Sequence, residues 1–169
     1  MIDKGYVLTM ARYNAWQNRQ IIDIVKVMDE ADLRGDQGAF FGSILATLNH
    51  ILWGDTLWMS RWCSDIVAPQ RNFEDWADYT GTLGNWEAQR FAMDGRIRIW
   101  AETLSNLDLT GELVWTYTAT GQEMRQPMGM CIAHMFNHQT HHRGQVHAML
   151  TAQGRTAPTT DIVFMPEEN

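Results

Sequence analysis

The chain has 169 residues, 45% of them hydrophobic, which is enough for one domain with a substantial core and too few for two comfortable ones. Asp plus Glu number 20 against 13 Lys plus Arg, so no global positive field draws in phosphate backbones or anionic lipid, and neither nucleic acid nor a membrane surface is an expected partner. No stretch approaches the roughly 18 consecutive apolar residues of a membrane span, and the opening MIDKGYVLTMARYNAW carries Asp3 without the apolar run of a secretion signal, which predicts a cytoplasmic protein.

Residues 5–29, GYVLTMARYNAWQNRQIIDIVKVMD, place apolar side chains at helical intervals without Pro or an interior Gly, and predict a first helix punctuated by Gly35 and Gly38. A second helix is predicted over 40–63, with Ile44, Leu48, Leu52 and Met59 forming a stripe in steps of three and four. Pro69, Gly81 and Gly84 then surround the polar, aromatic stretch NFEDWADYT, which reads as a long connection across the end of a bundle. Trp86, Met93, Ile97, Trp100 and Leu104 fall near a heptad spacing and predict a third helix over 85–107.

The period changes over 110–126, where Leu113, Trp115 and Tyr117 alternate with Val114, Thr116 and Thr118 before Gly121, predicting a short β-hairpin. Pro127 suits the first turn of a last helix that runs to Gly154. The tail RTAPTTDIVFMPEEN is expected to be extended and packed through Ile162, Val163 and Phe164. The fold class predicted is all-α, a four-helix bundle with a long connection between its second and third helices and a hairpin before the last. Cys63 and Cys131 read as buried free thiols, and the eight Trp and eleven Met as a bulky core or a subunit interface.

All but one of the six histidines fall within HMFNHQTHHRGQVH, residues 134–147. A helix turns about 100° per residue, so His138 and His142 lie about 40° apart and two imidazoles can share one ion. From the centre of the stripe Met128, Ile132, Met135, Phe136, Val146 and Leu150, His142 falls at about 40° and His138 at about 80°, at the core's edge. His134 and His141 fall at about 120° and 140°, towards solvent, and His147 on the opposite shoulder. The spacing His-x-x-x-His is a weak signal by itself, because an edge histidine is usually a hydrogen-bonded surface residue. A catalytic metal site commonly takes three protein ligands, so a third must come from elsewhere.

The remaining histidine, His50, is the natural candidate, in TLNHILWGD. It lies off the Ile44/Leu48/Leu52 stripe and shares its side with Trp53 and Leu57, so the second helix is apolar on two sides and periodicity leaves open where His50 looks. Asp55 lies nearly on that stripe, where a carboxylate needs a partner, and Arg143 on the last helix's stripe is the expected one.

LNHILWGDTLW in the second helix, NHQTHHRGQV in the last, the opening YNAWQN and the tail PTTD together resemble the DinB family of damage-inducible bacterial proteins and its YfiT-like relatives, which are distinct from the DNA polymerase of the same name. The likeness runs over essentially the whole chain in the same order, and NHQTHHRGQV is its most specific part. It implies a four-helix bundle of unusual connectivity, a homodimer, a link to stress, and one divalent metal ion held by His50, His138 and His142. His134 and His141 are extra to that pattern, as substitute ligands or as neighbours of the true ones. The wider superfamily includes enzymes that use a low-molecular-weight thiol, such as bacillithiol or mycothiol, for S-transfer or isomerisation, while many members have no assigned reaction; the likeness speaks to architecture more than to activity.

Three imidazoles suit zinc, nickel or iron alike. Neutral ligands leave the ion its full charge, which activates a bound water or deprotonates a bound thiol. Three functions are open: transfer of a small thiol to an electrophilic small molecule; hydrolysis by bound water with Asp55 or His141 as base; or a non-catalytic dimeric stress protein whose structural or sensory ion is closed by a fourth ligand such as His134 or His141.

Overall fold

The computed structural model describes residues 2–69, 76–117 and 120–167. Five helices and one hairpin follow in order: α1 (Lys4–Val25), α2 (Glu30–Arg34), α3 (Ile44–Trp62), α4 (Leu83–Thr103), β1 (Glu112–Tyr117), β2 (Gln122–Pro127) and α5 (Met128–Ala152). Single 3₁₀ turns stand at Trp76–Asp78 and Ile162–Phe164. Much of the long connection, 70–75, lies outside the described residues, as does the part of the hairpin turn at 118–119.

Local chemistry sets where the long helices begin. Asp3, Ser43 and Thr82 each sit in extended backbone and accept a hydrogen bond from an amide three residues on, those of Tyr6, Ala46 and Asn85. Pro127 has no capping side chain; it closes β2 opposite Glu112, and the Met128 amide donates to the carbonyl of Gly111 at 3.0 Å. Gly111 takes φ +79°, a conformation that a side chain would strain. The hairpin thus holds the start of α5. Gly154, at φ +72°, ends it as predicted.

Around the bundle the order is α1, α4, α3, α5, each long helix packing on its two neighbours. α3 and α4 run parallel, with Leu48 beside Trp86 and Trp62 beside Trp100, as do α1 and α5, with Tyr6 beside Phe136 and Asn14 beside Arg143, whereas α1 and α4, and α3 and α5, run antiparallel. Lys4 reaches Asn106 and the Glu102 carbonyl while Asn14 reaches Asp94, and Trp58 faces His134 while His50 faces His138 and His142. The core between them contains Val7, Ile21, Leu45, Leu48, Leu52, Trp86, Ile97, Ile132, Phe136 and Leu150. The Trp86 indole is fully buried and donates to the Leu48 carbonyl at 3.0 Å. Among the described residues no helix is long and apolar enough to cross a membrane.

The structure departs from the sequence reading in several places outside the site, beginning with the second and third predicted helices, which run Ile44–Trp62 and Leu83–Thr103 rather than 40–63 and 85–107. The first helix stops at Val25, and the chain turns to bury Met28 and, on the five-residue α2, Leu33. So short a helix carries little periodicity and is held by tertiary contact. The tail is not packed through Ile162, Val163 and Phe164, which are 40%, 80% and 66% exposed. It is tied instead by polar contacts to α1: the Tyr13 hydroxyl donates to the Thr160 carbonyl at 2.6 Å, and Gln17 and Gln20 donate to that of Thr159. Cys131 is buried but Cys63 only half-buried, and burial raises the pKa of both thiols.

Candidate metal centre

α3 and α5 pack antiparallel, and the faces they turn to each other bring His50, His138 and His142 together. One nitrogen from each lies within 4.8 Å of the other two, and the Nε2 atoms of His50 and His138 are 2.9 Å apart. Two imidazole nitrogens bound to one zinc ion at about 2.1 Å are at most about 4.2 Å apart. The trio fits one ion with a small ring adjustment at its widest pair. Close approach of the helices makes room for it. A Cβ added at Gly54 would stand 3.0 Å from Cε1 of His138, so the glycine leaves the space that this ring fills.

The three rings are oriented from outside. His142 Nδ1 donates to Gln145 Oε1 at 2.8 Å, one turn along α5, leaving Nε2 with the lone pair that a metal takes. Phe41, just before the Ser43 cap, lies 4.0 Å from the His50 ring and 5.0 Å from that of His142, covering both. Burial pushes His50 down to about 4, helped by the nearby His142, and His138 down to about 3, helped by the other imidazoles. His142 is lowered too, again by burial, against the opposing effect of its hydrogen bond to Gln145. All three are neutral near pH 7, the form that binds metal.

His134 and His141 are exposed, as the helical wheel indicates. Their rings lie 5.9 Å from His138 and 4.8 Å from His142, and neither joins the trio that shares a ligand distance. His147 lies half-buried away from the trio, beside Tyr13, Arg143 and Thr160.

Asp55 does not pair with Arg143. Its Oδ2 accepts from Arg90 of α4 at 2.5 Å and its Oδ1 from Gln139 at 2.7 Å, with no part of Asp55 exposed. Arg90 also pairs with Asp94 at 2.8 Å. Asn14 and Asn18 donate to Asp94, and Arg143 donates to Asn14 Oδ1. Two carboxylates and two guanidiniums thus share the bundle interior. Burial raises both carboxyls against the pull of Arg90, while Arg143, further from the acids, is pushed down to about 10. Helix periodicity places Asp55 on an inner face without saying which neighbour meets it. The signal that names the neighbour is Arg90, four after Trp86 and three before Met93 on the stripe of α4. Gly54, Gln145 and Phe41 were missed as parts of the site.

The sequence profile of the DinB family matches residues 1–169. The chain belongs to the DinB family. Among curated DinB relatives it is similar to "Protein DinB" of Bacillus subtilis (strain 168), at 21% identity over 160 residues covering 92% of this chain and 91% of that one. In this DinB chain, the three clustered histidines are compatible with holding a metal ion.

Proposed function

We propose that this protein is a divalent-metal-dependent enzyme that activates a small thiol for transfer to an electrophilic small molecule, with His50, His138 and His142 as the metal ligands. The observation that carries the reading is the convergence of three neutral imidazoles with no carboxylate or fourth histidine among the described residues within the same ligand distance. A dipositive ion on such ligands supplies the charge that deprotonates a thiol near neutral pH. The chain's own part is to orient His142 through Gln145, to place His138 in the space left by Gly54, and to shield His50 under Phe41. The sulfur's electron pair forms the new S–C bond, the leaving group departs with its own pair, and the thiol proton passes to solvent. Neither cysteine competes as nucleophile, since burial keeps both thiols protonated.

The reading includes a cytoplasmic homodimer, in keeping with the half-buried Trp53, Leu57 and Trp58 on α3, where a second copy would cover apolar surface. Zinc, nickel and iron all suit the donor set.

Hydrolysis by bound water is the second reading, favoured by one observation: exposed His141 stands beside His142 as a candidate base. Asp55 is no longer a candidate, because both of its oxygens are taken inside the bundle. Metal content by mass spectrometry, followed by thiol consumption with a panel of electrophiles, tests the first reading. A metal-replete protein inert to every thiol overturns it, and ester or amide hydrolysis without thiol favours the second.

A further inference from the structure

A chain of aromatic rings leads away from the histidines along α3. Trp58 lies 5.1 Å from His134 and 5.7 Å from Trp62, and Trp62 stacks on Trp100 of α4 at 5.0 Å with an interplanar angle of 11°. Beside them stands Arg61, its guanidinium 4.2 Å from the Trp58 ring and 4.9 Å from that of Trp115 on β1. This stacking holds the cation without neutralising it. Among the described residues no carboxylate lies within ion-pair distance of Arg61, and burial lowers its pKa.

Arg61 faces a cleft of about 390 Å³ between α3, α4 and the start of α5, whose apolar wall includes Trp62, Trp100, Met128 and Ile132. The acid in the lining, Asp108, already accepts from the Ser105 amide and hydroxyl, both at 2.7 Å. The Trp62 indole N–H is buried without an acceptor. A cation without a carboxylate partner and an aromatic wall around a cavity of ligand size call for an occupant with a flat apolar body and a negatively charged end.

We propose that this cleft binds a small aromatic anion, with its carboxylate or sulfonate on Arg61 and its ring against Trp62 and Trp100. The proposal stands apart from the metal reading, since the cleft contains none of the three histidines and the test reads binding alone. The same chemistry describes a substrate, product or effector, and the site lies at one end of the aromatic path that starts at His138 and His134.

The test compares two fluorescent probes of nearly the same shape on the full chain: anilinonaphthalene sulfonate and phenylnaphthylamine, which lacks the sulfonate. Wild-type protein is expected to bind the sulfonate about tenfold more tightly or better, as a charge-assisted contact to a guanidinium allows. Arg61→Met is expected to bring the sulfonate down to the level of the neutral probe and to leave the neutral probe unchanged. Arg61→Gln, which keeps a planar polar end without the charge, gives the same comparison should Arg61→Met fail to fold by circular dichroism. Equal binding of the two probes by the wild type, or a sulfonate preference that survives loss of the Arg61 charge, overturns the proposal.

Discussion

Gly54 of α3 lies against the imidazole of His138 on α5, with no room between them for even a methyl group in ordinary contact. The space for the His138 ring is written into a residue with no side chain. Gly54→Ala is therefore expected to weaken metal binding by about tenfold to a hundredfold, as loss of a ligand's support does. The metal-free protein should lose far less in stability, because the gain of about 1 kcal/mol from Ala as the better helix former offsets part of the cost of about 1–3 kcal/mol for pushing the ring aside. Competition with a chromogenic chelator and a thermal melt check both halves, and an unchanged affinity counts against the role given to Gly54.

Gln145 holds His142 by its Nδ1. Gln145→Leu frees the ring to turn and to change tautomer, and is expected to cost about tenfold to a hundredfold in metal affinity. Stability without metal should change little. Isothermal titration with zinc gives the number.

His134 and His141 flank the trio without joining it. Replacing either with Ala should leave metal stoichiometry unchanged, whereas His50→Ala, His138→Ala and His142→Ala should each abolish tight binding. Should His134→Ala or His141→Ala abolish it too, that residue is a fourth ligand and the ion is closed rather than open.

In the metal-free protein His50 and His138 are held near 4 and near 3, against 6.5 for an ordinary imidazole. As pH falls through about 6.5 the unfolded chain takes up these protons first, so acidification destabilises the fold, through His50 down to about 4 and through His138 down to about 3, and these groups add no slope above 6.5. Denaturant midpoints across that range should fall with pH. The double variant His50→Gln/His138→Gln should show a shallower fall, and an equal slope would remove the histidines as its cause.

Asp55 joins α3 to α4 through Arg90 and to α5 through Gln139. Asp55→Ala leaves Arg90 with one acid instead of two, and a buried pair broken on one side costs about 3–5 kcal/mol. Asp55→Asn, which keeps an acceptor for Gln139, should cost less. Arg143→Met should cost less than Asp55→Ala, because Arg143 contacts Asn14 rather than a carboxylate. Chemical denaturation ranks the three.

Much of this arrangement is legible in the sequence. Spacing alone put His138 and His142 on one edge of the last helix and turned His134 and His141 outward. His50 was not readable that way. Nearly every position of α3 is buried or half-buried, so its wheel has no polar side from which to orient a histidine. The family likeness had to supply it. Asp55 failed differently: three helices meet around it, and a wheel describes one helix at a time. For the tail, hydrophobicity was a poor guide, because Ile162, Val163 and Phe164 stay at the surface while Tyr13 and Gln17 hold the preceding Thr residues by their backbone.

Asn49 precedes His50 on α3, and its side chain carries the far end of the long connection. It donates to the Ala77 carbonyl at 2.9 Å and accepts from the Thr80 hydroxyl at 2.8 Å. The residue that moors the connection and the residue that aims an imidazole are joined by one peptide bond. Because the two residues share one rigid stretch of α3, the far end of the connection and the imidazole of His50 are positioned together.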